Sequence, residues 1–217
     1  MSYQDVVTRM TAAAERVGRD PSSITLVAVS KAKPVSEIEA VYELGHRDFG
    51  ENRAQEMAEK AARLPEDIRW HFVGGLQTNK ARLIRPVTHL LHSMDRASLA
   101  GAWAKGSGPP PPVLLQINTG HERQKSGVEP EEARSTLAEV LSLGLEVRGL
   151  MAIPPLTEDP AAQRPHFAML REIRSELAGE HPEITELSMG MTDDFELAIE
   201  EGSSIIRVGR AIFGERT

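Results

Sequence analysis

Lys31 stands at the end of an apolar, β-branched run, residues 24–30, and Pro34 opens a turn just behind it. An ammonium at such a place has two uses. It can snorkel to water from an ordinary strand end. It can also stand partly desolvated at the mouth of a site, where a lysine amine is fit for Schiff-base chemistry. Two glycine-bearing stretches near the C-terminus offer a second kind of chemistry: Ser188-Met189-Gly190 and Arg207-Val208-Gly209-Arg210. Gly190 and Gly209 let backbone N–H groups approach an anion, and a helix start at Thr192 would add its dipole. Two ordinary turns are the plain alternative. Arg207 is either a fixed cation for a ligand or a salt-bridge partner at a rim.

The hydrophobic pattern supplies a scaffold that could gather these residues. Residues 2–17 carry Val6, Val7, Met10, Ala13, Ala14 and Val17 at helical spacing. After the 24–30 strand, Ser36 with Glu39 reads as a capping box. Ile38, Val41, Tyr42 and Leu44 then form a helix face, and Gly45 is its stop. Further strands are expected at 46–50, 70–73, 88–93, Val113–Ile117, 145–151, Glu186–Ser188 and 204–208. Helices are expected at 52–64, 80–85, 95–104, 130–143, 159–179 and 192–200, the last with Thr192, Asp193 and Asp194 as cap and first-turn charges. In the 52–64 helix, Ala54, Met57, Ala58, Ala61 and Leu64 face inward. The Gly/Pro stretch 106–112 reads as a surface loop.

Strict β/α alternation implies a parallel sheet. Eight units in 217 residues fit a closed (β/α)8 TIM barrel in one domain, residues 1–217, with an extra N-terminal helix. A doubly wound open sheet is the alternative that periodicity leaves standing. In a barrel the chemistry sits at the C-terminal strand ends. Those ends carry Lys31, Gly50-Glu51-Asn52, Gly74-Gly75, Ser93 with Asp95, Asn118, Met151 and the two glycine-bearing corners. Closure would bring the corners after strands seven and eight beside strand one, and so beside Lys31.

Composition narrows the classes. The formal charge of −7 argues against a non-specific nucleic-acid binder. With no cysteine there is no disulfide framework, thiol nucleophile or thiolate metal site. No apolar run approaches a membrane span of roughly 20 residues, and residues 1–10 lack the apolar core of a signal peptide. A cytoplasmic protein is the expectation. His89 and His92 flank one strand at odd spacing, which points them to opposite faces; solvated or capped histidines are expected there, with no metal site. Residues 74–80 resemble a P-loop only faintly, because Asn79 and Ala81 replace its glycine and hydroxyl residue. The acidic run 129–132 reads as a helix start.

A strand-end amine, a phosphate cradle and a strand-end arginine together suggest pyridoxal 5′-phosphate (PLP). Its aldehyde needs an amine, its phosphate needs N–H donors, and its ring nitrogen needs a partner. A carboxylate partner keeps that nitrogen protonated and strengthens the electron sink. Arg207 cannot accept a proton at ordinary pH, so facing the ring nitrogen it would leave it unprotonated and weaken the sink.

Six segments carry a resemblance to a known family. They are Val27-Ala28-Val29-Ser30-Lys31-Ala32-Lys33-Pro34, Phe49-Gly50-Glu51-Asn52, Trp70-His71-Phe72-Val73-Gly74 and Leu76-Gln77-Thr78-Asn79-Lys80. The last two are Leu187-Ser188-Met189-Gly190-Met191-Thr192-Asp193-Asp194-Phe195-Glu196 and Ile206-Arg207-Val208-Gly209-Arg210-Ala211-Ile212-Phe213-Gly214. In order and spacing the chain resembles the pyridoxal phosphate homeostasis protein family across its whole length. The resemblance implies a barrel of the alanine racemase N-terminal domain type without a C-terminal β-domain. It implies PLP held as an internal aldimine on Lys31, with Ser188, Met189, Gly190, Gly209 and Arg210 around the phosphate. It implies Arg207 at the pyridine nitrogen, and Asn52 and His71 at the barrel mouth. Arg210 stands where the family often has Ser or Thr, so a charged donor replaces a hydroxyl. In the loop 118–122, Gly120 stands where many members have Ser, while Lys125 and Gly127 match.

What the resemblance implies is a PLP-binding protein of vitamin B6 homeostasis that buffers or delivers the cofactor without efficient catalysis. Apo-PLP enzymes are the expected recipients, and a barrel of this size can stand as a monomer. The rival is a PLP enzyme of racemase or aldolase type acting on amino acids. Two-base racemisation needs an opposing tyrosine, and the chain's tyrosines, Tyr3 and Tyr42, fall in helices away from the expected mouth.

Overall fold

The structure, a computed structural model, describes residues 2–121, 126–155, 157 and 159–215. Glu122 and Lys125 lie outside the described residues. Eight strands run in order β1 Thr25–Val29, β2 Asp48–Glu51, β3 Arg69–Phe72, β4 Thr88–Met94, β5 Val113–Ile117, β6 Val147–Ala152, β7 Glu186–Ser188 and β8 Ile205–Val208. Each pairs in parallel with the next, and β8 returns to β1, so the sheet is a closed barrel and the open-sheet alternative falls. The seam pairs Thr25 with Ile205, Leu26 with Ile206, Val27 with Arg207 and Ala28 with Val208.

Strand alternation divides the side chains into two layers. Inside the barrel, Val27, Val29, Val73, Leu90, Leu114, Met151 and Ile205 form one apolar cluster. Outside, residues such as Phe49, Phe72, Leu91, Leu115 and Leu187 pack under the helices. Those helices are α1 Tyr3–Arg16, α2 Val35–Glu43, α3 Ala54–Ala61, α4 Ala81–Ile84, α5 Ala97–Ala104, α6 Ala133–Ser142, α7 Arg164–Ala178, α8 Phe195–Glu200 and α9 Arg210–Phe213. The extra N-terminal helix has a purpose in this plan. A Ser2–Asp5 capping box starts α1, and Val6, Met10, Ala13 and Ala14 pack with Phe195, Ile199, Ile206 and Val208. It covers the seam where β8 meets β1.

Several helix boundaries differ from the sequence expectation. Ser36 is not a cap: α2 begins at Val35, directly after Pro34, and no side chain caps it. Pro34 holds an extended backbone (φ −68°, ψ 159°), so the chain turns helical two residues sooner and Ser36 falls inside the first turn. Leu44 ends that helix facing solvent. Thr192 does not start a helix either. Asp194 Oδ1 accepts the Met191 N–H at 2.6 Å and closes a turn over 191–194, so α8 starts at Phe195. The loop 106–112 is a surface loop as expected, and Arg85 pins it by donating to the Ser107 and Gly108 carbonyls. Among the described residues no helix is long and apolar enough to cross a membrane.

The β6–β7 contact leaves no room for a side chain at Gly149. A β-carbon there would lie 2.0 Å from the Glu186 carbonyl oxygen, which is backbone and cannot swing aside. Gly149→Ala is expected to lose about 1–3 kcal/mol of stability through overpacking. Urea unfolding against Gly101→Ala, where a β-carbon meets nothing within 4 Å, checks this.

Candidate functional site

A cavity of about 600 Å³ opens at the C-terminal end of the barrel, beside the seam. Lys31, Asn52, Arg207, Gly209 and Arg210 line it. The reason is register. Lys31 has the same parity as the inward Val27 and Val29, and Arg207 the same as the inward Ile205. Pairing of β1 with β8 then sets the two cations on neighbouring strands. The seam is tight above Arg207: a β-carbon on Gly209 would come within 3.0 Å of the Val29 carbonyl oxygen. The loops after β2 and β3 are equally close, since a β-carbon on Gly74 would meet the Asn52 carbonyl oxygen at 2.5 Å.

Arg207 is 4% exposed. Its Nη1 donates to Ser188 Oγ at 2.6 Å and its Nη2 to the Ala152 carbonyl at 2.9 Å. Burial pushes its pKa down to about 10, against the opposing pull of Asp194. It therefore stays protonated at neutral pH and remains a pure donor. Ser188 continues inward. Its Oγ lies 2.8 Å from His92 Nδ1, His92 Nε2 lies 2.9 Å from His71 Nδ1, and His71 Nε2 lies 3.1 Å from Asp48 Oδ1. Arg69 closes the far end on Asp48 with two bonds of 2.7 and 2.5 Å. Burial opposes ionisation of Asp48, but Arg69 and His71 outweigh it and hold the carboxyl well below the usual carboxylate range.

The two ends of this polar chain are fixed. Arg207 can only donate and ionised Asp48 can only accept. Arg207 Nη1 therefore donates to Ser188 Oγ, and His71 Nε2 donates to Asp48. Burial, with His71 and Arg207 nearby, pushes the His92 pKa well below its usual value and keeps that ring neutral. His92 was expected to be solvated or capped; instead it is fully buried inside the barrel. His71, expected at the mouth, lies below it, 2% exposed and bonded into the chain. Both rings occupy inward strand positions, where buried polar groups need hydrogen-bond partners, and each ring bonds the other and one further side chain.

The rest of the expected phosphate corner is partly rearranged. Met189 has outward parity; its side chain packs in the outer core, away from the cavity. Gly190 adopts φ +93° and packs against Phe195 and Ala198, while its carbonyl accepts from the Arg207 N–H. The next residues, Met191, Thr192 and Asp193, line the cavity instead. Ser188 spends its hydroxyl on His92 and Arg207. Arg210 is already engaged, since its Nη2 reaches both carboxylate oxygens of Asp193 at 2.6 and 2.5 Å. Lys33 and Ile153 also line the cavity and were not singled out from sequence. Ile153 directly follows the end of β6, so the strand-end rule could have named it. Lys33 is buried by a bond to the Glu215 carbonyl at 2.9 Å, which no local pattern announces. Tyr3 bonds His46 and Tyr42 bonds Asp67, both away from the cavity.

The depressed Asp48 carboxyl gives a pH prediction. A carboxylate whose pKa falls on folding contributes stability above its unfolded pKa of about 3.9, and that stability fades as pH drops toward the folded value. Asp48→Asn is expected to be less stable than the parent at pH 7, with the gap closing below about pH 4. A gap in denaturant midpoint that stays constant from about pH 7 to pH 2 would contradict this.

Comparison with known proteins agrees with the geometry. Residues 7–217 match the model of the family described as alanine racemase, N-terminal domain. The pyridoxal phosphate homeostasis protein of Aquifex aeolicus is 42% identical over 217 residues, covering 97% of this chain and 95% of that one. The structure of PipY of Synechococcus elongatus without PLP superposes with a TM-score of 0.85 at 37% identity, covering 96% of this chain and 99% of that one. The form with PLP bound gives 0.77 at 36%, covering 96% and 100%. With its closed barrel and near-complete overlap with these relatives, the chain belongs to the alanine racemase N-terminal domain family and, within it, to the pyridoxal phosphate homeostasis proteins.

Proposed function

We propose that this protein binds PLP in the cavity at the barrel seam and serves intracellular PLP homeostasis as a carrier or buffer. The observation that carries the reading is the pairing of Lys31 and buried Arg207 on one cavity of about 600 Å³, at a register set by β1 and β8. The name of the Aquifex relative and the PLP-bound PipY structure support the same reading. Bound PLP supplies an aldehyde that condenses with an amine and a ring that accepts electrons. Lys31 provides the amine as covalent anchor. Arg207 presents a donor to the ring nitrogen and cannot protonate it as a carboxylic acid would. The first N–H groups of α9, from Gly209 onward, have no carbonyl partner within that turn and suit the phosphate, alongside Thr192. Asn52 flanks the mouth. Ser188 and His71 support Arg207 from below rather than meeting the cofactor, and Met189 supports the corner through its backbone.

The carrier reading draws on the tyrosine positions, since neither phenol reaches the cavity as an opposing base. We place the protein in the cytoplasm as a monomeric single domain, with apo-PLP enzymes as recipients.

Reconstitution with PLP tests the site. The parent protein is expected to develop an imine absorption band, and borohydride should fix the label on Lys31. Lys31→Ala should lose both band and label, and labelling of another lysine would overturn the anchor. Arg207→Gln is expected to keep the label but shift the band and weaken PLP binding about tenfold or more; an unchanged spectrum and affinity would remove Arg207 from the ring. Holo-protein mixed with an apo-PLP enzyme and a trap for free PLP tests delivery. Amino-acid turnover in the ordinary enzyme range would replace the carrier by an enzyme.

A further inference from the structure

Behind Lys31, on the side away from the cavity, lies a buried ionic cluster that the cofactor reading does not use. Lys60 sits on the inward face of α3 with Ala54 and Met57 and is 6% exposed. Its Nζ contacts Glu51 Oε1 at 2.6 Å and Glu56 Oε1 at 2.7 Å. Glu51 is fully buried; burial pushes its carboxyl upward, and its Oε2 has no hydrogen-bond partner. Glu51 points outward from β2 because its neighbour Gly50 takes the inward position. A buried ammonium–carboxylate group adds little stability over well-packed apolar residues of the same volume. Its particular contribution must be sought in what it holds.

What it holds is the backbone on both sides of Lys31. Lys60 Nζ donates to the Ser30 carbonyl at 2.8 Å. Glu56 Oε1 accepts the Ala32 N–H at 2.6 Å. The Ser30 carbonyl belongs to the peptide before Lys31 and the Ala32 N–H to the peptide after it. One ammonium and one carboxylate, bonded to each other, thus fix both peptide planes that flank the Lys31 α-carbon. With those planes fixed, both Lys31 dihedrals are fixed. Ser30 Oγ adds a bond to Glu51 Oε1 at 2.7 Å. The turn needs such support, because Ala32 adopts φ +60°, a left-handed conformation disfavoured for a residue with a β-carbon.

We infer that Lys60, Glu51 and Glu56 form a positioning clamp for Lys31: they set the backbone on either side of the lysine and so aim its amine into the cavity. None of Lys60, Glu51 and Glu56 lines the cavity, so the clamp acts through the backbone that carries Lys31. The inference rests on the cofactor reading above in giving Lys31 its purpose.

Glu56 is the residue to change, because its side chain is 22% exposed and its loss spares the core. Glu56→Gln keeps an oxygen for the Ala32 N–H and for Lys60; Glu56→Ala removes it. In PLP titrations Glu56→Ala is expected to bind about tenfold more weakly and to trap more slowly with borohydride, and Glu56→Gln to stay within about twofold of the parent. In a Lys31→Ala background Glu56→Ala should have no further effect on residual PLP binding. An equal loss in that background would show a general disturbance of the cavity and overturn the clamp. Amide hydrogen exchange of the unloaded protein gives an arm without PLP. The Ala32 N–H should exchange at least about tenfold faster in Glu56→Ala, and at the parent rate in Glu56→Gln. If the parent takes up no PLP while Ala32 is protected in this pattern, the cofactor reading fails and the clamp on the Lys31 backbone stands. If Glu56→Ala matches the parent in titration, trapping and exchange, the clamp is wrong.

Discussion

The parallel pairing of β8 with β1 is the interaction on which everything else hangs. Residues 25–28 and 205–208 are almost as far apart in sequence as the chain allows, and their contact converts a row of strands into a barrel. It also makes neighbours of Lys31 and Arg207, which no shorter-range contact could do. Bringing such distant segments together carries a loop-closure cost that grows with separation, though only slowly. The apolar packing of α1 across the seam, through Val6, Met10, Ala13 and Ala14, helps offset it. An ion pair between Arg9 and Glu196, and the Arg9 guanidinium 4.9 Å from the Phe195 ring, tie the same helix to α8. The N-terminal helix is thus a structural clasp whose effect is felt at a cavity it does not touch.

The barrel interior is divided between two materials. Apolar side chains from β1, β4, β5, β6 and β8, with Val73 just past β3, fill much of it, and a file of hydrogen-bonded polar groups crosses the rest from Asp48 to Arg207. The file works because it is complete: each inner atom has a partner, and both ends are charges held by further bonds. A half-satisfied chain in such a place would be strongly destabilising. The two buried ionic systems lie on opposite sides of the sheet. The Asp48–Arg207 file runs inside the barrel, and the Lys60 cluster lies between sheet and helix. Between them they address two of the cations that line the cavity, Lys31 and Arg207.

Much of this was legible in the sequence. Eight strands, their order and the position of Lys31 followed from hydrophobic runs and β/α alternation, and the strand-end rule pointed to Asn52, Arg207 and Gly209. What the sequence concealed has identifiable physical causes. Parity within a strand, not proximity to its end, decides what faces a cavity: Met189 and Glu51 are strand-end residues that point outward. Asp194 overrode a good capping residue, Thr192, by bonding the Met191 N–H through three residues of turn. His71 and His92 read as separate polar residues because their bond joins two strands, and only the fold shows that each satisfies the other. Lys60 carries no local sequence signal of burial. Its burial depends on Glu51, nine residues earlier, lying beneath it.

The file from Arg207 to Asp48 limits what can stand at its upper end. Arg207 brings N–H donors to the Ser188 hydroxyl and to the Ala152 carbonyl, and a carbonyl oxygen can only accept. A carboxylate in its place would have no proton to offer that carbonyl and would compete with His92 for the Ser188 hydroxyl proton. The Ala152 carbonyl would then be buried without its donor. Exchanging a donor for an acid beside the cavity is therefore a change to the hydrogen-bond inventory of the barrel interior, and it calls for new partners on β6 and β7 as well.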